Sequence, residues 1–300
     1  MTPLEPAPES VAAGRPVWLK REDVHELGAF KWRVALPALE EYRAGGATGV
    51  VTASTGNHGA ATAWAARQLG LEAVVYVPES ASRTKVERVR ELGADLHLEG
   101  ADFDAAKELA LAYAAASGLP FFEDGAEPAQ YAGYEAIGDE IVDQLDEAPG
   151  AVVVPVGNGA LLGGIGRALL RRSPETLRIG VVAAAAPVMA DSWEAGRPVT
   201  SDSSGTFADG IAVRVAIPAA VAVLNNVATH MLRVSERELA AGVAALAEAG
   251  IRAEGAAAAG VAALPHLPET DGPIVLVVTG RNIDDELFDR ACSLTDSFPT

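Results

Sequence analysis

Short apolar runs alternate along the chain with longer segments in which apolar residues recur at helical spacing. The short runs predict β-strands, and the longer segments predict helices. The predicted strands are Gly49–Ala53, Ala73–Val77, Asp95–Leu98, Ala151–Val156, Arg178–Ala184 and Ile274–Val278. The predicted helices are Ala60–Leu69, Ala81–Leu92, Asp104–Ala116, Tyr134–Leu145, Gly163–Arg171, Glu236–Glu248 and Gly255–Ala263.

Most of the predicted strands are apolar throughout instead of alternating between apolar and polar residues. Continuous apolar strands are typical of a parallel sheet whose two faces are both covered by helices. Because strands and helices also alternate along the chain, the pattern predicts an α/β fold.

The ends of the predicted helices carry recognisable stop and start signals. Ser235–Glu238 (Ser-Glu-Arg-Glu) has the pattern of a capping box at a helix start. Residues 187–218 show the least regular pattern, and we expect a surface excursion there. Glycines that suit a left-handed helix end follow four predicted helices, at Gly70, Gly93, Gly118 and Gly250.

Composition narrows the class of protein. The chain has 300 residues, of which 49% are hydrophobic, enough for one large domain or two ordinary ones. Its formal net charge of −18 argues against nucleic-acid binding, which needs basic residues to neutralise phosphates. No apolar run is long enough to cross a bilayer, and the N-terminus does not have the pattern of a signal peptide. With a single cysteine, Cys292, these features predict a cytoplasmic protein that binds neither nucleic acid nor membranes.

A glycine-rich turn follows the predicted strand Ala151–Val156 and precedes a predicted helix. Its sequence, Gly157-Asn158-Gly159-Ala160-Leu161, offers free backbone N–H groups at the positive end of a helix dipole, which suits a phosphate. The alternative is an ordinary tight turn. The spacing differs from the dinucleotide fingerprint, and no acidic residue follows the next strand, so a nicotinamide enzyme is disfavoured.

Lys31 lies between Phe30 and Trp32 at the start of a possible helix. A lysine amine held among aromatic rings and partly shielded from water is a competent nucleophile toward an aldehyde. The alternative is an exposed helix lysine whose stem covers Phe30.

Polar residues follow two more of the predicted strands. Ser54–Gly59 leads from a strand into a helix and suits a carboxylate, although it could be a simple N-cap loop. Thr279 comes directly after the last strand, and Glu254 opens a helix of small residues, where it could instead stabilise the helix N-terminus. In open parallel sheets ligands bind beyond the carboxyl ends of the strands, so we expect Thr55, Gly157 and Thr279 to belong to one site.

These motifs occur in the order found in a known family, and the resemblance covers nearly the whole chain. The chain resembles the fold-type II enzymes that use pyridoxal 5'-phosphate, specifically the branch of serine/threonine dehydratases and serine racemases. The motifs that carry the resemblance are Lys20–Asp23, Gly28–Arg33, Ser54–Gly59, Gly157–Leu161, Thr206–Val213, Glu254–Ala257 and Thr279–Asn282.

The resemblance implies a role for each motif. Lys31 would hold the cofactor as a Schiff base, and Lys31, Thr55 and Glu254 would be the catalytic residues. The implied cofactor-binding residues are Phe30, Lys31, Asn57, Gly157, Asn158, Gly159, Ala160, Leu161 and Thr279, with Asn57 on the ring hydroxyl and Thr279 on the ring nitrogen. The implied substrate-binding residues are Ser54, Thr55, Gly56, Asn57 and His58.

The resemblance also implies an architecture like that of the tryptophan synthase β-subunit. Two three-layer open-sheet domains would hold the cofactor in the cleft between them, and two chains would form a homodimer. The larger domain would comprise residues 1–48 and 127–300, and the smaller one residues 49–126. Ala186 and Ser192 stand where relatives have the acidic ligands of a divalent cation, so we predict no metal.

The implied reaction is α,β-elimination of a β-hydroxy amino acid such as L-threonine or L-serine, giving a 2-oxo acid and ammonia. A neutral hydroxyl on the ring nitrogen favours expulsion of the β-substituent over transamination. Racemisation is an alternative, with Thr55 as the second base. A second alternative is elimination from another β-substituted amino acid such as 3-hydroxyaspartate, because Arg281 could bind an extra anion. A third alternative is a cofactor-binding protein that has lost catalysis, because Val34 and Arg281 depart from the family pattern.

Overall fold

The structure is a computed structural model that describes residues 1–12, 14–81, 83–125, 128–201 and 204–300. The strands are β1 Leu4–Pro6, β2 Val17–Arg21, β3 Gly49–Ala53, β4 Glu72–Val77, β5 Asp95–Leu98, β6 Ala151–Pro155, β7 Leu177–Ala183, β8 His230–Val234 and β9 Ile274–Val278. The α-helices are α1 Glu9–Ala12, α2 Trp32–Ala44, α3 Asn57–Leu69, α4 Arg83–Glu91, α5 Phe103–Ser117, α6 Pro128–Gln144, α7 Ala160–Arg172, α8 Val188–Ala195, α9 Pro218–Val227, α10 Glu236–Glu248, α11 Ala259–Ala262 and α12 Asp285–Ser293. Short 3₁₀ turns occur at Glu22–Val24, Asp209–Ile211, Leu264–His266 and Thr295–Ser297.

The chain divides into two compact units. The first unit comprises residues 1–30 and 131–300, and the second comprises residues 31–130. Residues 31–48, which the sequence analysis assigns to the larger domain, fall in the second unit because α2 packs against α3. The predicted boundary between residues 126 and 127 lies outside the described residues, so the predicted domain ranges stay a prediction.

The first unit is built on a six-stranded sheet in the order β1-β2-β9-β6-β7-β8. β1 is antiparallel to β2, and the remaining neighbours are parallel. Because β9 and β6 are adjacent and parallel, their carboxyl ends meet at one edge of the sheet. Thr279 follows β9 and Gly157 follows shortly after β6, so both of these predicted site residues lie at that edge.

Helices cover both faces of this sheet. Ile179 and Val181 of β7 belong to the same buried core as Leu239 of α10. Gly180 lies between them and faces the other way, where an added Cβ would be 2.8 Å from Leu162 Cδ2 of α7. The predicted α/β fold with a largely parallel, doubly covered sheet is therefore confirmed for this unit.

The second unit is built on the parallel sheet β3-β4-β5. Phe121 forms a parallel bridge to Val51 of β3 and so extends the sheet on its other side. One face buries Val51, Val74 and Ala110 of α5 in a small core. The residues that follow β3 and Phe121 therefore lie at the same edge of this sheet.

Several elements differ from the pattern-based expectations. β1, β2 and β8 are not among the predicted strands, since β1 is three residues long and β8 (His-Met-Leu-Arg-Val) mixes polar and apolar residues. The segment 187–218 begins with α8, which buries Met189 and Ala190, so the expectation of a surface excursion is wrong for its first part. The predicted helix Gly255–Ala263 starts later, at Ala259.

The predicted helix ends agree with the structure. Ser235 and Glu238 form the capping box at the start of α10. The four predicted helix-ending glycines all have a positive φ angle. Among the described residues, no helix is long and apolar enough to span a membrane.

His97 on β5 lies between two carboxylates of its own strand. Its Nε2 is 3.3 Å from Asp95 Oδ2, and its Nδ1 is 3.1 Å from Glu99 Oε1. The imidazole also stacks on the Tyr76 ring, with the ring centroids 4.5 Å apart. Partial burial tends to lower the pKa of His97, but the hydrogen bonds to Glu99 and Asp95 outweigh it, so the pKa is raised.

This arrangement predicts a pH-dependent contribution to stability. Because the pKa of His97 is higher in the folded chain than in the unfolded one, its contribution is complete below about pH 6.5 and is lost as pH rises through the folded value. Relative to His97→Gln, the wild-type protein should lose at most about 1 kcal/mol of unfolding free energy over that rise. Urea unfolding of both proteins at a series of pH values measures this, and a difference that does not vary with pH would contradict it.

Candidate active site

The glycine-rich turn between β6 and α7 requires its glycines. A Cβ on Gly157 would lie 2.7 Å from the carbonyl oxygen of Gly210, and Gly159 has a φ angle of 93°. Among the described residues, the backbone N–H groups of Gly157, Asn158 and Gly159 have no hydrogen-bond partner. The turn therefore presents free donors at the N-terminus of α7, an arrangement that suits a phosphate.

The other predicted residues of this turn support its shape. The Asn158 side-chain oxygen accepts a hydrogen bond from the N–H of Ala160 at 3.1 Å. Ala160 is the first residue of α7, and its side chain is buried together with that of Leu161. The Ala160 N–H is thus already paired. Within the described part of the chain, the N–H groups that remain free for a ligand are those of Gly157, Asn158 and Gly159, which precede α7.

Thr279 has a side-chain hydroxyl that lacks a partner. The residue is 2% exposed, and its Oγ1 is buried with no hydrogen-bond partner among the described residues. Its carbonyl oxygen accepts the N–H of Phe30 at 3.1 Å, and the Phe30 ring packs 5.3 Å from the Tyr134 ring. A buried hydroxyl without a partner costs about 1–3 kcal/mol, and a ligand acceptor such as a ring nitrogen would remove that cost.

Glu254 lies beside Thr279. The residue is 4% exposed, and a Cβ on Gly280 would lie 2.8 Å from Glu254 Oε1. The Glu254 N–H donates to the carbonyl oxygen of Gly280 at 3.0 Å. Because α11 begins only at Ala259, the interpretation of Glu254 as an acid in the first turn of a helix receives little support.

Arg281 does not point to an anion site. Its Nη1 donates to the carbonyl oxygen of Asp23 at 2.9 Å, and its Nη2 donates to that of His25 at 3.4 Å. The stem of the side chain packs against Gly28. The guanidinium is used to fix the segment before Lys31, so the basis for an additional anionic substrate group is removed.

Residues of the first unit therefore fit the phosphate and the ring nitrogen of pyridoxal 5'-phosphate. The turn at Gly157 offers free N–H donors for a phosphate, and Thr279 offers an unpartnered hydroxyl for a ring nitrogen. A Cβ on Gly210 would lie 2.9 Å from Ala256 Cβ, and one on Gly280 would lie 2.8 Å from Glu254 Oε1, so neither position has room for a side chain.

In the second unit, Lys31 directly precedes α2. Its Nζ lies 2.6 Å from Oδ1 and 2.7 Å from Oδ2 of Asp124, and its side chain is 12% exposed. The sequence analysis anticipates shielding by aromatic rings but not this carboxylate. The Lys31 ammonium thus makes a charge-assisted hydrogen bond to each carboxylate oxygen of Asp124.

The loop Ser54–Gly59 connects β3 to α3. Ser54 Oγ accepts the N–H of Gly56 at 3.2 Å, and a Cβ on Gly59 would lie 2.5 Å from the Ser54 carbonyl oxygen. α3 begins at Asn57, and Thr55 is half-buried ahead of it. The loop is thus held tightly at a helix N-terminus, where a carboxylate is stabilised.

His58 turns its ring inward. The residue is 4% exposed, and its Nε2 lies 3.2 Å from the carbonyl oxygen of Phe122. Burial lowers the pKa of His58, although the carboxylate of Asp124 acts in the opposite direction. Because a carbonyl oxygen can only accept, Nε2 of the neutral ring carries the proton, and Nδ1 faces Asp124 Oδ1 at 3.7 Å.

Asp124 is the residue that sequence reasoning missed. It follows the apolar pair Phe121-Phe122, of which Phe121 bridges to β3. Polar residues just past an apolar run were the available signal, but Pro120 interrupts that run and argues against a strand. The structure brings Asp124 together with Lys31 and His58 within the second unit.

Comparison with known proteins agrees with the fold. An open, largely parallel α/β sheet with a glycine-rich turn of free N–H donors is typical of enzymes that bind a phosphate-bearing cofactor. The family model described as "Pyridoxal-phosphate dependent enzyme" matches residues 1–280. The chain belongs to this family, so the predicted family, fold class and cofactor are confirmed.

Several relatives can be named. The L-threonine ammonia-lyase of Thermotoga maritima is 36% identical over 287 residues, covering 94% of this chain and 71% of that protein. The processed form of threonine deaminase isoform 2 from Solanum lycopersicum superposes with a TM-score of 0.91 at 29% identity, covering 98% of this chain and 87% of that one. Maize serine racemase superposes with a TM-score of 0.88 at 22% identity, covering 99% and 92%, a likeness of fold alone.

Proposed function

We propose that the protein is an ammonia-lyase that eliminates the β-hydroxyl of L-threonine or L-serine and yields a 2-oxo acid and ammonia. The observation that carries the proposal is the buried, unpartnered hydroxyl of Thr279. A neutral hydroxyl cannot favour a protonated ring nitrogen as a carboxylate would, which favours loss of a β-substituent over transamination. The names of the threonine ammonia-lyase and threonine deaminase relatives support the same substrate class.

The residues that would hold the cofactor come from several of the motifs described above. Lys31 would bind its aldehyde carbon covalently, and the free N–H groups at the start of the Gly157–Leu161 turn would bind its phosphate. Thr279 would bind the ring nitrogen, Asn57 the ring hydroxyl, and Phe30 would support the segment before Lys31. When bound, pyridoxal 5'-phosphate supplies an electron sink for the bond that breaks at the substrate Cα.

The protein's own groups would then select and deprotonate the substrate. Ser54, Thr55, Gly56 and Asn57 would hold the substrate carboxylate at the N-terminus of α3. His58, with its ring turned inward, would act mainly by shaping that loop. Lys31 Nζ, once released from the cofactor, would take the proton from Cα as general base, and Glu254 would orient groups near the ring.

The alternative functions have less support. Racemisation requires a second base, and no contact of Thr55 with the described residues favours that role. Elimination from 3-hydroxyaspartate loses its main argument, since Arg281 is bound to backbone carbonyls. A degenerate protein is disfavoured because Lys31, Asn57 and Glu254 are all present.

The proposal is tested by an absorbance scan of the protein with pyridoxal 5'-phosphate, before and after addition of L-threonine and then L-serine. We expect a visible band of lysine-bound cofactor that shifts on addition of substrate, with 2-oxo acid and ammonia formed in equal amounts. A band that never shifts with either amino acid would contradict the proposed substrates. Loss of optical activity without 2-oxo acid would favour the racemase instead.

The remaining expectations concern the setting of the enzyme. We propose a homodimer and a cytoplasmic location, on the strength of the family resemblance and of the single cysteine. We also propose that no divalent cation binds at the Ala186 and Ser192 positions. The Ser192 hydroxyl donates to the carbonyl oxygen of Val188 instead.

A further inference from the structure

We propose that Glu236 is a positioning residue for the cofactor phosphate. Through the backbone N–H of Phe207 it holds the segment Phe207–Ile211, and this segment in turn fixes the glycine-rich turn at Gly157. The inference rests on the proposed function, because it takes the Gly157 turn as the phosphate site. Glu236 is the first residue of α10 and is not among the site residues that the sequence predicts.

A hydrogen bond joins the segment to the start of α10. The Phe207 N–H donates to Glu236 Oε2 at 2.9 Å. Glu236 is only 7% exposed, although acidic residues in the first turn of a helix are commonly in contact with solvent. The carboxyl group of Glu236 is therefore buried against the backbone of the segment, within the first unit.

The second carboxyl oxygen of Glu236 indicates that helix stability does not explain the residue. Oε1 is buried and has no hydrogen-bond partner among the described residues. A buried acceptor without a partner lowers the stability of the folded chain. An acidic residue can favour a helix start without such burial, as Glu238 does in the capping box of the same helix. The burial of Glu236 therefore suits a different role, which is to hold the Phe207 N–H.

The segment that Glu236 holds is folded tightly on itself. The Asp209 N–H donates to the carbonyl oxygen of Phe207 at 3.0 Å, and the Ile211 N–H donates to that of Ala208 at 2.9 Å. Ala208 and Ile211 are also buried, at 1% and 2% exposure. Because these bonds link one end of the segment to the other, a displacement of Phe207 also displaces Gly210.

Gly210 packs directly on the phosphate turn. A Cβ on Gly157 would lie 2.7 Å from the Gly210 carbonyl oxygen, so the two backbones are in contact. A Cβ on Gly210 would in turn lie 2.9 Å from Ala256 Cβ, so this contact has no spare room either. A shift that begins at Phe207 is therefore passed to the turn and moves its free N–H donors.

The test separates phosphate binding from attachment of the cofactor. The dissociation constants of pyridoxal 5'-phosphate and of pyridoxal, which lacks the phosphate, are measured by absorbance titration of the whole, cofactor-free chain. Both compounds can offer the same aldehyde to Lys31, so the ratio of the pyridoxal constant to the pyridoxal 5'-phosphate constant measures the contribution of the phosphate. Glu236→Ala should lower this ratio at least about fivefold.

Two conservative variants separate the position of the Glu236 oxygen from its charge. Glu236→Gln keeps an oxygen that can reach the Phe207 N–H, and its ratio should stay within about twofold of the wild-type value. Glu236→Asp keeps an acidic group at the start of α10, but the side chain is one methylene shorter. Its ratio should fall about as far as that of Glu236→Ala.

Glu238→Ala is the matched control. Glu238 lies in the same helical turn, and its side chain binds Ser235 and His266. Its removal disrupts the capping box, so the midpoint of thermal unfolding should fall. The ratio of dissociation constants should stay at the wild-type value, because none of these contacts involves the Phe207–Ile211 segment.

Three outcomes would overturn the inference. These are a wild-type ratio in Glu236→Ala, an equal fall of the ratio in Glu238→Ala, or a fall in Glu236→Gln together with a wild-type ratio in Glu236→Asp. The last result would assign the effect to charge at the helix start. If Glu236→Ala does not fold, Glu236→Asp decides.

Failure of the proposed function gives a different result. If the phosphate binds elsewhere, Gly157→Ala also leaves the ratio unchanged, whereas failure of the Glu236 inference alone leaves the ratio low in Gly157→Ala. If neither L-threonine nor L-serine is turned over, the ratios and their dependence on Glu236 still persist, because they are measured without substrate.

Discussion

Lys31→Ala should abolish both cofactor attachment and catalysis. The variant removes the amine that would bind the cofactor aldehyde and the base that would take the Cα proton. General-base catalysis alone is worth about 10²–10⁴-fold, so we expect kcat/KM for L-threonine to fall by at least about 10³-fold. The visible absorbance band of lysine-bound cofactor should disappear at the same time.

The control for this prediction is Lys107→Ala. Lys107 also forms an ion pair with a carboxylate in the second unit, with Glu123 instead of Asp124. Its removal should leave the band and the turnover unchanged. After borohydride reduction, the cofactor mass should remain on the peptide that contains Lys31. Recovery of the mass on a different lysine would show that the assignment of Lys31 is wrong.

Gly157→Ala should weaken cofactor binding through the phosphate turn. The added Cβ would lie 2.7 Å from the carbonyl oxygen of Gly210, so the turn or the Asp209–Ile211 segment must shift. Overpacking of this kind costs about 1–3 kcal/mol. Because the shift displaces the N–H donors, we expect the dissociation constant for pyridoxal 5'-phosphate to rise about tenfold or more.

Gly205→Ala provides the comparison for Gly157→Ala. Within the described part of the chain, a Cβ on Gly205 meets no atom within 4 Å, and the residue does not have a positive φ angle. Fluorescence titration of the cofactor-free proteins measures affinity, and thermal unfolding measures stability. A Gly157→Ala protein that binds the cofactor as tightly as the wild type would contradict the assigned phosphate site.

The strands that form the centre of both sheets could be predicted because their signal is local. β3, β6 and β9 are continuous apolar runs of five residues, and each is completely buried. A fully buried parallel strand needs apolar residues on both faces, so its sequence alone identifies it. An edge strand such as β8 carries no such signal, because it has a neighbouring strand on one side alone and its residues are only partly buried.

The candidate site could be predicted in part for a related reason. The turn at Gly157 and the loop Ser54–Gly59 are short motifs whose residues interact with one another and with a helix N-terminus. Thr279 was accessible to the same reasoning because it directly follows an obvious strand. Each of these features depends on residues close together in the sequence.

The charge environment of the site could not be read in this way. Lys31 and Asp124 are 93 positions apart in the sequence, and only the fold of the second unit brings them within hydrogen-bonding distance. Arg281 illustrates the converse, because its position after β9 indicated a ligand contact, whereas its guanidinium binds carbonyls near residue 25. A side chain at the end of a strand can turn toward a ligand or toward its own backbone, and local sequence does not distinguish the two.

The sequence by itself thus determined the fold class, the family, the cofactor and the motifs that would hold it, since these follow from local pattern and from motif order. The tertiary structure decided which charged groups face Lys31, that His58 turns inward and stays neutral, and that Arg281 is not available to a ligand. These facts depend on contacts between distant segments. Electrostatic interactions are set by distances in space and by burial, and neither is fixed until the chain has folded.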